Sequence, residues 1–514
     1  MDVVYAGWLS LLPPVLAIVL ALITKEVISS LLVGILSGTI IYTAMAGLHP
    51  LIGPVDTLFD TALNSIDLYI LLFCFLLGAL VHLVTLTGGS NAYGEWASKR
   101  LRTKRSALLA TSALGCLIFI DDYFNCLTVG TVMKPVTDRY NVSRAKLSYI
   151  IDSTAAPVCI IAPISSWAAA VSSYIRGTGS FDSDFMAFCA TIPFNLYALL
   201  TLAMVVILSV KDMEFGPMEK AEQHARQTGD IGAVQTEVTD LPKGQKQGRV
   251  ADMVVPIAAL IVFSILSMLY IGGFWGEDPA FRYQFTAALG NSVAAEALCW
   301  GSLGALFVAF VQYVPRRLMS FKEFMKGVST GMSNMVSAAT ILVLAWTISG
   351  VCGLLETDVY VKDVMVASSI PGGLLPAIVF VVAAFLSFAT GTSWGTFGIL
   401  IPIIIPVASA ISPNLLIVSL AATLGGSVMG DHCSPISDTT ILSSTGAGCE
   451  HVQHVSTQLP YALLVGGCCM VGYLVAGFTD GNVWLTLLAG FGALLVLLTV
   501  LHRHALKKEV VQKS

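Results

Sequence analysis

The chain contains little charge. Only 11% of its 514 residues are Asp, Glu, Lys or Arg, whereas soluble globular domains contain about 25%. A chain this poor in charge cannot cover a large water-facing surface, so most of its surface is expected to face lipid. The formal net charge is −5 and the basic residues form no stripe. Nucleic acid is therefore not an expected partner.

Signatures of covalent chemistry are also missing. The sequence has no HExxH motif, and none of its eleven Cys residues forms a CxxC pair, so the usual zinc-protease and redox signatures are absent. His432 and Ser434 lie close together, but the sequence shows no partners that would make them a base and a nucleophile. We expect neither an enzyme nor a bound cofactor.

Long apolar runs are abundant. Hydrophobic residues make up 56% of the chain, and its mean hydropathy is +0.81. Because a membrane-spanning helix needs about 20 mostly apolar residues, the sequence predicts an all-α polytopic membrane protein with about eleven transmembrane helices. The predicted spans lie near residues 8–24, 27–46, 69–87, 146–175, 185–210, 252–275, 285–313, 331–355, 414–445, 459–479 and 482–502.

Two further apolar regions, 107–139 and 374–411, are each divided by a polar break into two runs that are too short to span. A short helix, a turn and a second short helix are typical of a re-entrant hairpin. Similar breaks interrupt the predicted spans 146–175 and 414–445, which predicts helices broken near the membrane midplane.

The order of these elements predicts an inverted repeat. Residues 1–210 contain three spans, a hairpin and two spans, and residues 252–480 repeat that order. Each unit has an odd number of crossings, so the second unit is inverted and the two hairpins are opposed. Residues 211–251 form a polar linker, and residues 481–514 add an extra helix and a tail. Inverted repeats with broken helices are typical of secondary transporters, whose sites lie near the midplane.

Positive charge predicts the orientation. Basic residues cluster at 95–105, after the first hairpin and in the C-terminal tail, whereas loop 47–68 has three Asp and no Lys or Arg. Because basic loops stay in the cytoplasm, we expect the N-terminus outside and the linker and C-terminus inside. The expected location is a bacterial inner membrane, with the lipid bilayer as partner.

The first hairpin break places Asp121 and Asp122 side by side between apolar arms, followed by Asn125 and Thr128. Two carboxylates in a low dielectric are suited to binding a cation or exchanging a proton. Alternatively, one of them caps the returning helix.

The next two breaks contribute mainly hydroxyl oxygens. These hard ligands, together with carbonyls that helix breaks release, suit Na⁺. The third break could equally serve only to turn the chain, and the one carboxylate of the second break could serve only as a helix-start residue. The candidates are Asp152, Ser153, Thr154, Ser165, Thr392 and Ser393.

Two more parts of the sequence place carboxylates in apolar spans. Glu296 is predicted in the middle of a span, where it either has a functional role or forms a buried pair. The fourth break combines two carboxylates with an imidazole and is predicted to bind Na⁺ or H⁺. Its candidates are Asp431, His432, Ser434, Ser437 and Asp438. A zinc site there is disfavoured, because adjacent helical residues cannot easily chelate one metal, and His432 either titrates or only donates a structural hydrogen bond.

Segments 120–136, 152–171, 391–403 and 425–444, which carry the four breaks, resemble the NhaC-type Na⁺/H⁺ antiporter family of the ion transporter superfamily. The resemblance covers nearly the whole chain. It implies a transport domain that holds the hairpins and broken helices, a scaffold domain that forms homodimers, and alternating access by movement of one domain against the other.

Three functional hypotheses follow. The first is Na⁺/H⁺ antiport, with Na⁺ held by Asp122, Asn125, Asp431 and Asp438 and competition between proton and cation enforcing exchange. The alternative is Na⁺- or H⁺-coupled exchange of small organic acids or amino acids, which would use the same architecture. An ion channel is disfavoured, because an inverted repeat with opposed hairpins is typical of a carrier.

Overall fold

A computed structural model describes residues 1–24, 26–119, 122–163, 165–177, 181, 183–234, 248–357, 359–360, 363–364 and 371–513. The regular structure of this part of the chain is helical, apart from one isolated bridge between Ala233 and Cys449. The predicted all-α class is therefore confirmed.

Helices in the first half of the chain are labelled in chain order. They are α1 (Leu12–Thr24), α2 (Val27–Ala46), α3 (Gly53–Ser65), α4 (Leu68–Leu86), α5 (Gly89–Arg100), α6 (Lys104–Leu117), α7 (Asp122–Thr137), α8 (Arg144–Cys159), α9 (Ser166–Gly177), α10 (Asp184–Thr191), α11 (Leu196–Lys211) and α12 (Gly216–Thr228).

Helices of the second half continue the numbering. They are α13 (Ala251–Ile271), α14 (Phe285–Gly290), α15 (Ala294–Tyr313), α16 (Phe321–Ser333), α17 (Val336–Leu354), α18 (Leu375–Thr390), α19 (Ser393–Ile411), α20 (Leu416–Cys433), α21 (Asp438–Ala447), α22 (His451–Phe478) and α23 (Val483–Lys513).

Nine helical segments within the described ranges are long and apolar enough to cross a membrane by length and composition. Large apolar side chains such as Phe307 and Trp484 are exposed on the outer surface, where lipid would cover them. The chain is therefore a multi-pass membrane protein.

Several helices differ from the predicted spans. The predicted span 185–210 is divided near Pro193, which lacks a backbone N–H, and α11 then starts at a new cap, where Asn195 Oδ1 accepts from the Ala198 N–H at 3.4 Å. The predicted span 285–313 is divided into α14 and α15. Glu296 consequently lies in the first turn of α15 and not in the middle of a span.

Segments predicted as loops or linker also contain helices. Helix α3 lies in loop 47–68, α5 ends within the basic cluster 95–105, and α12 lies in the linker. Helix α22 begins at His451, eight residues before the predicted start at 459. This extension brings two additional polar side chains, His454 and Gln458, into a long helix.

All four predicted breaks separate helices in the structure, but Asp152, Ser153 and Thr154, which were predicted in the second break, lie inside the continuous helix α8. The third break is a tight turn at Gly391, whose φ of 69° is in the left-handed region that favours glycine. A Cβ at Gly391 would lie 2.6 Å from the Ile436 carbonyl oxygen. The tip between α18 and α19 therefore packs directly against the break between α20 and α21.

The linker is attached to the helix bundle by buried charges. Lys146 on α8 is fully buried, and its Nζ lies 2.6 Å from Glu214 Oε1, while Tyr461 on α22 also donates to Glu214. Glu222 on α12 is paired with Lys104 and accepts from the Ser143 N–H at 2.8 Å. Because a buried charge needs a partner, these pairs fix the linker against the ends of α6, α8 and α22.

We expect Glu214→Gln to destabilise the protein strongly. Removal of one partner leaves Lys146 buried without a counter-charge, which costs about 3–5 kcal/mol. Thermal unfolding in detergent measures the effect. The control is Glu95→Gln, which removes an exposed pair at 3.7 Å with Arg139 and should cost less than about 1 kcal/mol; equal unfolding temperatures for the two variants would contradict the role given to Glu214.

Candidate functional site

Asp122 is the first residue of α7 and is fully buried. Trp167 on α9 donates from Nε1 to Asp122 Oδ1 at 2.9 Å. The Trp167 ring packs edge-on against Trp394 and Phe397 of α19, with centroids 5.4 Å apart in both pairs. One tryptophan thus connects the first break to the third. Asp121, predicted beside Asp122, lies outside the described residues.

Asn125 holds two helix ends together. Its Nδ2 donates to the carbonyl oxygens of Gly115 at 2.7 Å, Ile118 at 2.8 Å and Thr154 at 3.0 Å. The side-chain oxygens Asn125 Oδ1 and Thr128 Oγ1 are buried and have no hydrogen-bond partner in the structure. Unpartnered buried oxygens are uncommon in proteins, and these two remain able to ligate a cation.

The fourth break holds two carboxylates in different environments. Asp438 accepts from the Tyr123 hydroxyl at 2.6 Å and from the Thr439 N–H at 2.8 Å, so both of its oxygens have donors. Asp431 accepts at Oδ2 from Ser393 Oγ at 2.8 Å, while its Oδ1 is buried without a partner. The two carboxylates are close enough to interact electrostatically. Of these two carboxylates, Asp431 is the one with an oxygen that has no hydrogen-bond donor among the described residues.

A third carboxylate, Asp152 on α8, is bound by donors from α21 and α22. This fully buried side chain accepts from Ser443 Oγ at 3.1 Å, Gln458 Nε2 at 2.5 Å, His454 Nε2 at 3.3 Å and Thr440 Oγ1 at 3.4 Å. So many donors leave Asp152 little capacity to bind a cation directly.

His432 lies near the same carboxylate. Its Nε2 is 3.9 Å from Asp152 Oδ1, and its Nδ1 is 3.1 Å from the Tyr197 hydroxyl. The predicted site residues Asp152 and His432 are thus brought together. Sequence reasoning missed His454 and Gln458, because their span was taken to begin at 459. Their spacing of four residues, which puts both on one helix face, was the available signal.

Most of the predicted hydroxyls satisfy the backbone. Each closes a helix end or accompanies a break, as polar side chains near helix ends commonly do. Three of them accept from backbone N–H groups: Ser165 from Ala168 at 3.0 Å, Thr392 from Gly395 at 3.5 Å and Ser437 from Thr440 at 3.3 Å. Two others donate to backbone carbonyls: Ser434 to Phe388 at 2.8 Å and Thr154 to Ile150 at 2.7 Å. Ser153 is buried on α8.

Negative charge dominates the centre of the site. In the described part of the chain, the ion pairs of Asp152 involve imidazoles only, and Asp431 and Asp438 have no Lys or Arg within ion-pairing distance. All three side chains are at most 6% exposed. Carboxylates buried in this way require a cation, a proton or strong donors to remain there.

Comparisons with known proteins agree with this chemistry. A family model described as the Na⁺/H⁺ antiporter family matches residues 175–478. The chain belongs to the Na⁺/H⁺ antiporter family. An uncharacterized protein of Haemophilus influenzae is 39% identical over 506 residues, which is 96% of this chain and 94% of that protein.

Two relatives of the antiporter family have more informative names. The malate-2H⁺/Na⁺-lactate antiporter of Bacillus subtilis is 30% identical over 166 residues, 32% of this chain and 34% of its own length. The arginine/ornithine antiporter ArcD of Halobacterium salinarum is 37% identical over 109 residues, 20% of this chain and 22% of its own length. Family membership places the chain among membrane antiporters rather than enzymes.

The packing of α7 against α21 gives a test of the site. A Cβ at Gly130 would lie 2.4 Å from backbone atoms of Gly446, so the two helices approach too closely for any larger side chain. Gly130→Ala should therefore destabilise the protein by about 1–3 kcal/mol, measured as a lower unfolding temperature in detergent. The matched control is Gly467→Ala on α22, where a Cβ meets nothing within 4 Å; it should be neutral or stabilising by up to about 1 kcal/mol. A neutral Gly130→Ala would show that α7 and α21 are not in this contact.

Proposed function

We propose that this protein is a secondary antiporter that exchanges Na⁺ for H⁺ by alternating access. One observation carries the proposal. The carboxylates Asp431 and Asp438 are buried where the helix breaks meet, without a Lys or Arg partner in the described residues. Such a site binds either a monovalent cation or a proton, because either one neutralises the buried negative charge.

The cation ligands in this proposal are Asp122, Asn125, Asp431 and Asp438. Asp431 Oδ1 and Asn125 Oδ1 are buried and have no hydrogen-bond partner among the described residues, and hard oxygen ligands suit Na⁺. A proton that leaves Asp431 on one side of the membrane frees a carboxylate for Na⁺, and the reverse occurs on the other side. Competition for one site makes the exchange obligatory.

Helix packing supports the inverted repeat that alternating access would use. The helices α2, α3 and α4 of the first unit correspond to α15, α16 and α17 of the second. Helix α16 packs on α4, and in the same way α3 packs on α17. Helix α15 packs on α4, and in the same way α2 packs on α17. Within each half, α1 packs on α2 and α13 packs on α15. If the units 1–210 and 252–480 are exchanged, each contact maps onto its counterpart, as a two-fold pseudo-symmetry requires.

Three further features belong to the same proposal. The segments 107–139 and 374–411 act as re-entrant hairpins that open from opposite sides. Both runs of the second segment are longer than the sequence suggested, since Gly372–Thr390 is long and apolar enough to cross a membrane and α19 has 19 residues. The N-terminus lies outside and the C-terminus in the cytoplasm of a bacterial inner membrane. The scaffold helices outside the breaks form a homodimer.

The second candidate function is exchange of small organic acids or amino acids with Na⁺ or H⁺ as coupling ion. The names of the Bacillus subtilis and Halobacterium salinarum relatives favour it, because those proteins exchange carboxylates or amino acids. The same architecture would serve, with helix N-termini at the breaks holding a carboxylate.

Asp431→Asn and Asp122→Asn should each reduce Na⁺-driven proton flux in proteoliposomes to the level of protein-free vesicles. An amide cannot release a proton or neutralise Na⁺, so the exchanging group is lost. A pH-sensitive dye inside the vesicles reports the flux. Asp60→Asn, which changes an exposed residue of α3, is the control and should retain full flux. Full flux in Asp431→Asn would refute the assignment.

Counterflow of labelled solutes separates the two candidate functions. Proteoliposomes loaded with malate, lactate, arginine or ornithine are diluted into medium with the labelled solute, with and without a Na⁺ gradient. Na⁺/H⁺ antiport predicts proton flux driven by Na⁺ alone and no solute counterflow. The second candidate replaces the first if Na⁺ alone moves no protons and one of these solutes does.

A further inference from the structure

Asp152, His432, His454 and Gln458 form a second polar cluster, which the proposed cation site does not use. Three helices supply it: α8, α20 and α22. All four side chains are at most 1% exposed. The cluster contains one carboxylate and two imidazoles, and its overall charge therefore depends on whether an imidazole holds an extra proton.

The position of Asp152 assigns the tautomer of each imidazole. His454 Nε2 lies 3.3 Å from Asp152 Oδ2, so it carries the hydrogen that the carboxylate accepts. His432 also faces Asp152 with Nε2. A lone pair there would repel the carboxylate, so Nε2 carries the hydrogen and Nδ1 accepts from the Tyr197 hydroxyl. The Nδ1 atom of His432 is therefore already occupied.

The Nδ1 atom of His454 is the remaining basic position. It is buried and has no hydrogen-bond partner in the part of the chain that the structure describes. A proton at this nitrogen would produce an imidazolium whose other N–H already contacts a carboxylate, and so the new charge would be compensated at once. His432 Nε2 is also buried without a hydrogen-bond partner among the described residues, but in the tautomer assigned above it already carries a hydrogen.

Other titratable groups lie on α22 and on the elements that pack against it. They include Lys146, Tyr149 and Asp152 on α8, Tyr197 on α11, Glu214 and Glu222 from the linker, Asp431, His432 and Cys433 on α20, Asp438 on α21, and His451 and Tyr461 on α22 itself. Lys146 is paired with Glu214 and Glu222 with Lys104. The charge nearest to His454 is therefore the carboxylate of Asp152.

We propose that His454 is a proton-binding group of the exchange, in a site separate from the carboxylates that bind the cation. The inference rests on the proposed antiport and deepens it. Each cycle then moves a proton on His454 in addition to any proton displaced from Asp431 by competition. A two-site carrier of this kind transports more protons per cation than competition at one site allows.

Two side chains connect this proton site to the cation site. Gln458 Nε2 donates both to Asp152 Oδ2 at 2.5 Å and to the His432 carbonyl at 2.9 Å. Thr440 Oγ1 lies 3.4 Å from Asp152 Oδ2 and 3.4 Å from the Asp431 carbonyl. A positive charge on His454 would change the strength of the hydrogen bonds that Asp152 accepts from Gln458 and Thr440. Both side chains also donate to carbonyl oxygens in the last turn of α20, and this turn carries Asp431.

The transport stoichiometry tests the inference. Proteoliposomes with a fixed Na⁺ gradient are clamped at a series of membrane potentials, and the potential of zero flux gives the number of protons exchanged per Na⁺. His454→Gln should lower that number by one relative to the wild type. His451→Gln is the matched control, one turn away on α22; both of its ring nitrogens are satisfied, by Ser444 and the Pro435 carbonyl, and it should leave the number unchanged.

A spectroscopic measurement tests the same site without transport. In ¹⁵N-histidine-labelled protein, the wild type should show one doubly protonated imidazole at acidic pH that is missing in His454→Gln. An unchanged stoichiometry in a folded His454→Gln, or a His454 that stays neutral throughout, overturns the inference. Absence of Na⁺-driven flux in the wild type would instead overturn the proposed function, and the labelled protein would still decide whether His454 binds a proton.

Discussion

The structure depends on how carboxylates are kept inside an apolar bundle. An unpaired charge in the low dielectric of a membrane costs several kcal/mol, and here the described surroundings of Asp152, Asp431 and Asp438 contain no Lys or Arg. Tyr123, Ser393 and the Thr439 N–H, which lie beside helix breaks, donate to Asp438 and Asp431. Asp152 accepts from His454 and Gln458 on the continuous helix α22. The buried carboxylates therefore have polar partners from both broken and continuous helices.

The two halves of the chain contribute to the same network. Tyr123 from the first half binds Asp438 of the second, and Ser443 of the second half binds Asp152 of the first. Trp167 joins Asp122 to the aromatic residues at the start of α19. A shift of one half against the other would therefore alter the hydrogen bonds at Asp152 and Asp438 together.

The carboxylates differ in how many of their oxygens accept a hydrogen bond. Asp152 and Asp438 have donors at both oxygens, whereas Asp431 keeps one oxygen open. Polar groups of the protein therefore occupy both oxygens of Asp152 and Asp438 but only one oxygen of Asp431. Buried charge outside the site is also compensated, since Glu214 and Glu222 of the linker are paired with Lys146 and Lys104.

Composition and local pattern were enough to determine the all-α membrane class and the position of each break, because hydropathy and polar interruptions are properties of neighbouring residues. The pairing of side chains was decided only by tertiary structure. His454 and Asp152 are 302 residues apart, and no local pattern specifies which distant helix packs against α8. The division of the predicted span 285–313, which moved Glu296 to a helix start, likewise depended on packing. A linear pattern records which segments prefer lipid, but the partner of each buried polar group depends on which helices are neighbours in space.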